Sequence, residues 1–376
     1  MSFTSNDTIK KLEKILPESI HNQSVPKDIL IIIDEYIPKL NDQNIHQALN
    51  DYLSKNIKVI NNYGLINNWD VSQVTDMNCL FKYMRYFNED ISSWNVSNVD
   101  DMSDMFHHAH SFNKDISSWN VSNVTNMCAM FEDAYSFNQP LNNWNVNNVT
   151  NMRLMFSKAN SFNQPLNNWN VSNVTNMEYM FCNAESFNQP LNNWNVSNVT
   201  NMSRMFAYQK YYNHPLNNWN VSNVRSMFGM FAYTKYFNQP LDNWDMSNVR
   251  DMTAMFSTTK YFNQPLNNWN VSNVICMYNL FQKTISFNQP LDNWNVSQVT
   301  NMSGMFYKAK SFNQSLNNWN VSQVTNMNYM FVNAQEFDQP LNNWNVSEIC
   351  LNNLIKYNNC KIEETSDEDD SSDEEY

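Results

Sequence analysis

The sequence predicts an α/β repeat solenoid, and three observations carry that prediction. All twelve tryptophans, from Trp69 to Trp344, lie 25 residues apart without insertion or deletion. An apolar frame surrounds each tryptophan and returns nearly unchanged in every unit. The spacing of that frame changes halfway through, from strand-like to helix-like. A period of about 20 to 29 residues belongs to leucine-rich-repeat-like stacks, whose units bury an apolar face only against a neighbour. The expectation is about twelve 25-residue strand-turn-helix coils behind a helical N-terminal cap.

The fifth unit shows the frame. Leu166, Trp169 and Val171 follow the L-x-x-L-x-L spacing of a leucine-rich-repeat strand, with tryptophan in the middle slot. Val174, Met177, Met180, Phe181 and Ala184 then fall at i, i+3, i+6, i+7 and i+10, one face of a short helix. Phe187 plugs the core, and Pro190 presets the turn into the next unit without owing a ladder hydrogen bond. The core is expected as ladders of like residues. Asn167, Asn168, Asn170, Asn173 and Asn176 should bond unit to unit and serve buried indole and backbone groups. With only three glycines in the chain, left-handed turn positions are expected to fall to these asparagines.

The phrases "NNWNVSNVTNM" at 167–177 and "MFSKANSFNQPLNNWNV" at 155–171 closely resemble the 25-residue branch of the BspA-like leucine-rich-repeat family. That branch occurs in mycoplasma and other bacterial surface proteins and in proteins of large DNA viruses. The resemblance spans roughly 300 residues. It implies a right-handed repeat solenoid and, for surface-exposed bacterial members, adhesion. The chain departs from those members in showing neither a secretion signal nor a wall or lipid anchor.

Three regions follow: an N-terminal helical region and cap over 1–60, the repeat array over 61–360, and an acidic tail over 361–376. The tail holds nine acidic groups against one lysine, more than half of the chain's net charge of −13. Blocks of like charge are solvated and disordered. Ser366, Ser371 and Ser372 each precede an acidic residue by three positions, the context of acidophilic kinases, so phosphorylation is expected to deepen the charge. The tail is also a candidate to fold back on basic side chains of the array. A general nucleic-acid role is disfavoured, because phosphate contacts need a basic footprint. The longest apolar run, "ILIII" at 29–33, is too short for membrane insertion. The expected location is intracellular, the host cytoplasm for a viral member.

At the front of the array, "IHQALNDYL" carries Ile45, Leu49, Tyr52 and Leu53 on a helix expected to end near Gly64. At the back, the methionines give way to Ile349, Leu351, Leu354 and Ile355, a closing cap. Upstream, "VPKDILIIIDEYI" resembles the opening of an F-box, with Val25, Pro26, Asp28, Ile29, Leu30, Ile33, Tyr36 and Ile37 in register. That resemblance implies a substrate receptor for ubiquitin ligation, in which Pro26, Ile29, Leu30 and Ile33 contact the ligase adaptor. The alternative is a plain helix packed on the first coil.

No catalytic constellation stands out: there is no nucleophile-histidine-acid order, P-loop or repeated acid pair. The chain is expected not to be an enzyme and to carry no cofactor. The Met-x-x-Met pairs, such as Met177 with Met180, have the spacing of copper ligands but fall on the inward face, where thioethers fill core. The tryptophan column is likewise expected inside, and not as a base-stacking platform. Six cysteines at unrelated offsets form neither a zinc nor a disulfide pattern. His107, His108 and His110 form the one histidine cluster, "HHAH", on outward positions of a single unit with no nearby carboxylate or cysteine at ligand spacing, so no metal is expected there.

The variable positions hold the candidate binding site. Units six to eight carry Lys210, Lys235 and Lys260, each followed by a tyrosine, Tyr211, Tyr236 and Tyr261, with Tyr208 and Tyr233 nearby. Arg204, Arg225 and Arg250 fall in the same units, and Gln209, Thr234 and Thr259 replace the usual alanine. Tyrosine and arginine are favoured interface anchors. The alternative is duplication of the three units without selection for binding. The expected function is a non-enzymatic scaffold for a protein partner, with F-box-like receptor and surface adhesin as the other readings.

Overall fold

The computed structural model describes residues 39–347. The F-box-like positions Pro26, Ile29, Leu30 and Ile33, the closing cap at Ile349–Ile355, and the tail with Ser366, Ser371 and Ser372 lie outside the described residues.

The lead-in is two helices where one was expected. In α1 (Ile45–Leu53), Ile45, Ala48 and Leu49 are buried, and Tyr52 on the same face meets Trp69 edge-on at 5.5 Å between ring centroids. Leu53, expected on that face, is 40% exposed, because it sits about 100° further round than Tyr52. Lys55, at φ 59, breaks the helix. Asn56 then caps α2 (Ile57–Tyr63) by accepting the Lys58 N–H at 3.1 Å. Gly64, at φ 75, closes it.

The lead-in also supplies what the first unit lacks. In later units one N–H donates back a whole unit, as from Thr125 to the Asp100 carbonyl at 2.8 Å and from Thr175 to Thr150 at 2.9 Å. Thr75 has no such unit behind it. Its N–H and hydroxyl donate instead to the Asp42 carboxylate, each at 2.8 Å, and the Asp76 N–H joins at 3.1 Å. Partial burial pushes the Asp42 pKa up, but the donors from Asp76 and Thr75 outweigh it and hold the carboxyl below its usual range. With the folded pKa the lower one, this stabilisation is complete above the unfolded value near 3.9 and is lost as pH falls through the folded pKa. Asp42→Asn should therefore flatten the acid limb of stability against pH. Its cost at neutral pH should be about 1 kcal/mol, kept small by the exposure of the site. Urea titrations at a series of pH values test this, and an unchanged acid limb would remove Asp42 from the capping role.

Within the repeats, every inward position expected of the fifth unit, from Leu166 to Phe187, is buried. The backbone reaches that result without the expected helix. Met177, Tyr179, Phe181 and Asn183 donate their N–H groups to the next unit, to the carbonyls of Asn201, Ser203, Met205 and Ala207, at 2.8–3.1 Å. The N–H groups of Met180, Cys182 and Ala184 turn three residues back, to Met177, Tyr179 and Phe181, at 3.0–3.2 Å. Tyr179 and Asn183 have φ 57 and 53, and a right-handed helix cannot run through a left-handed residue at every fourth position. The segment is a chain of tight turns repeating every four residues, close enough to 3.6 that a ten-residue apolar pattern does not separate the two.

The expected strand over Leu166–Val171 does not extend either. Trp169 bonds back to the Leu166 carbonyl at 3.1 Å, and Val174 to Val171 at 2.9 Å, so this edge is also turned. Parallel pairing is concentrated in one residue per unit: Asn176 bridges Asn151 and Asn201, in a column that runs from Asp76 to Asn326. Each described unit thus lies on the one before it in 25-residue register.

The ladders of like residues are present. Trp169 stacks on Trp194 at 6.3 Å and 6°. Phe181 stacks on Phe187 of its own unit at 4.1 Å and on Phe156 of the unit before at 5.7 Å. The indole N–H of Trp169 donates to the Leu141 carbonyl at 2.9 Å, 28 residues back, and not to an asparagine amide. The left-handed positions also fall differently from expectation. They lie in variable columns, such as Tyr179 and Asn183, while the constant asparagines work through their amides. Asn170 accepts from the Ser172 N–H at 3.2 Å and Asn176 from the Glu178 N–H at 3.0 Å, both local turns. Asn173 donates to the Asn147 carbonyl at 2.7 Å and Asn163 accepts from the Asn188 N–H at 3.0 Å, both between units.

Candidate interaction surface

Stacking in strict register turns any side chain repeated every 25 residues into a column. Units six to eight use this to build two columns of tyrosine. Tyr208 and Tyr233, both left-handed at φ 63 and 61, stack at 4.6 Å and 7°. Tyr211, Tyr236 and Tyr261 form the second column, at 5.8 Å and 5.2 Å with the planes within 10°. All five are exposed. The Lys210 ammonium lies 5.2 Å from the Tyr211 ring centre, and Lys235 holds the same 5.2 Å over Tyr236. Lys260 is half-buried and carries its backbone carbonyl to the Ser286 N–H at 3.1 Å.

Arg204 is inserted between units five and seven, its guanidinium carbon 5.6 Å from the Tyr179 ring and 4.9 Å from the Phe228 ring. Gly229 makes room for it, since a Cβ there would stand 3.0 Å from the Arg204 Cγ. Beside it opens a groove of about 210 Å³, lined by Arg204, Tyr208, Tyr233, Ser257, Tyr278 and Gln282 among others. Burial, and then the neighbouring Tyr233, push the Tyr208 phenol up, so it stays a protonated donor. The surface offers aromatic faces, phenol hydroxyls and cations.

Arg225 and Arg250 do not join this surface. They are exposed, in the column of Thr200 and Ile275, and neither lines the groove. Gln209, Thr234 and Thr259 are buried beneath the tyrosines. Gln209 donates to the Ala184 carbonyl at 2.8 Å, and Thr234 and Thr259 to Phe206 and Phe231 at 2.6 Å each. Thr284 extends the series into unit nine, donating to Phe256 at 2.7 Å, so the substitution is not confined to units six to eight.

Met177, Met180 and Trp169 are buried. Cys79, Cys128, Cys182 and Cys276 are free thiols, and burial pushes Cys182 up to about 12. The histidines do meet carboxylates, contrary to expectation: the next unit brings Glu132 and Asp133 alongside His107 and His108. The signal was there in "HH" at 107–108 and "ED" at 132–133, one period apart. It is read by adding 25, while a third carboxylate, Asp104, stands only three residues before His107 in sequence and 2.6 Å from its Nδ1. No helix among the described residues is long and apolar enough to cross a membrane.

Constant inward columns and free outward ones define a tandem-repeat protein. The chain belongs to the family described as Mycoplasma protein of unknown function, DUF285, whose family model matches three consecutive segments, 47–169, 152–268 and 251–365. A comparison with curated proteins gave no match.

Proposed function

We propose that the protein is a non-enzymatic interaction scaffold, a leucine-rich-repeat-like solenoid of the BspA-like kind in which turns take the place of helices. The observation that supports this reading most is the pair of exposed tyrosine columns, the second with Lys210 and Lys235 against the rings of Tyr211 and Tyr236. Stacked side chains are ordered before a partner arrives, which lowers the entropy lost on binding. Two ammonium groups on an otherwise acidic chain favour an acidic segment of a protein partner.

Reversing Lys210, Lys235 and Lys260 to glutamate should abolish capture of the partner from the cells that make the protein. The melting curve should stay close to the parent's, since Lys210 is exposed, Lys235 and Lys260 are half-buried, and surface substitutions away from the core cost at most about 0.5 kcal/mol each. Truncating one anchor, Tyr236→Ala, should weaken binding by about 2 kcal/mol, the cost typical of a buried interface tyrosine. Capture that survives the triple reversal would sink the reading.

A further inference from the structure

We propose that His107, His108 and Asp133 form a binding site for one divalent transition-metal ion of the Zn²⁺ class, joining units two and three. One ring nitrogen from each histidine and one carboxylate oxygen of Asp133 lie within 4.8 Å of one another. The site stands on different units from the tyrosine columns and does not depend on their role.

The spacings fit ligands better than they fit hydrogen bonds. His108 Nε2 is 3.7 Å from Asp133 Oδ2, and His107 Nε2 is 3.7 Å from Glu132 Oε2. A hydrogen bond would close to about 2.7–3.2 Å. Two ligands on a tetrahedral ion with bonds of about 2.0–2.2 Å stand roughly 3.3–3.6 Å apart; the His108–Asp133 pair is already at 3.7 Å, and the His107 nitrogen, within 4.8 Å of both, has at most about 1.5 Å to close.

The surrounding groups act as a metal site's support would. Asp104 Oδ1 is 2.6 Å from His107 Nδ1, which assigns the proton to that nitrogen and leaves Nε2 free to ligate. Asp104 is itself held by the Lys82 ammonium at 2.7 Å. His110 Nε2 lies 3.5 Å from His108 Nδ1, on the side of that ring away from Asp133. Tyr83 stacks across His108 at 5.1 Å and fixes its plane. Asp133 is buried, while His108 keeps about a third of its side chain in solvent, an entry path. The competing cation is the Lys158 ammonium, 4.0 Å from Asp133 Oδ1 and itself 41% exposed. It is free to swing away.

Two histidines with a carboxylate suit Zn²⁺, and a fourth position falls to Glu132 or water. The test is titration of the whole tag-free chain with Zn²⁺ at neutral pH by calorimetry, with Co²⁺ absorption reporting coordination geometry. One equivalent should bind, the Co²⁺ form should show four-coordinate bands, and Zn²⁺ should raise the melting temperature. His108→Gln and Asp133→Asn should each weaken binding more than tenfold. Asp104→Asn, which leaves every ligand in place, should weaken it about 10- to 100-fold. That variant decides the matter if a ligand variant fails to fold. Absence of binding, or an affinity indifferent to Asp104→Asn and to the ligand variants that fold, overturns the proposal.

Discussion

Replacing Trp169 by alanine is expected to cost about 3–5 kcal/mol of folding stability, the range for emptying a buried indole site. Three losses combine. The ring is buried and stacks on Trp194 at 6.3 Å, so a cavity opens in the tryptophan ladder. Its N–H leaves the buried Leu141 carbonyl, 2.9 Å away, without that donor. Because each unit is stabilised by its neighbours, a defect in the middle weakens the contacts on both sides. Trp344 makes the same kind of bond, to Leu316 at 2.8 Å, but is only half-buried in the last described unit. Trp344→Ala should cost about half as much. Urea unfolding followed by circular dichroism compares the two, and equal costs would refute the ladder argument.

The opposite sign is expected at Tyr212. This residue occupies the column that holds Phe187 and Phe237, fully buried, and its hydroxyl has no hydrogen-bond partner. The ring sits 4.4 Å from Phe206, against 4.1 Å for Phe181 and Phe187 one unit earlier, so the extra oxygen also opens the stack. Tyr212→Phe should stabilise the protein by about 1–3 kcal/mol, the cost of an unpaired buried polar group. It should also change the alkaline limb. Burial raises the phenol pKa above its unfolded value near 10. Stability from this group is therefore complete below about pH 10 and is lost as pH rises beyond it. The phenylalanine variant should lack that component. A variant less stable than the parent at pH 7 would show that the hydroxyl is satisfied.

What could be read in advance follows from what a period reports. Burial was legible at every inward position of the fifth unit, because an apolar residue repeated on a fixed frame must face a neighbour like itself. Backbone conformation was not. The inward positions Met177, Met180, Phe181 and Ala184 suit a helix and a run of four-residue turns equally, and the deciding fact, positive φ at Tyr179 and Asn183, lies at positions with no residue signature. The assignment of the constant asparagines to coil-to-coil bonding holds for Asn173, whereas Asn170 and Asn176 serve local turns through their amides, and none of the five takes the left-handed positions. An amide's hydrogen bonds and its tolerance of positive φ are separate properties, and composition does not say which is used.

The candidate site divides the same way. That Tyr211, Tyr236 and Tyr261 share a column is a matter of counting by 25, and so is the pairing of His107 and His108 with Glu132 and Asp133. Which repeated residues reach the surface is not. Gln209 lies between two exposed neighbours, yet it turns inward to a backbone carbonyl as Thr234 and Thr259 do, and Arg225 and Arg250 stand apart from the tyrosines of their units. The amino-acid order thus settled the register, the identity of the ladders and the residues that vary, since these depend only on spacing. The direction of each variable side chain, the replacement of helices by turns and the cap at Asp42 came from the folded chain alone, because each depends on which N–H and carbonyl groups a neighbouring unit leaves to be satisfied.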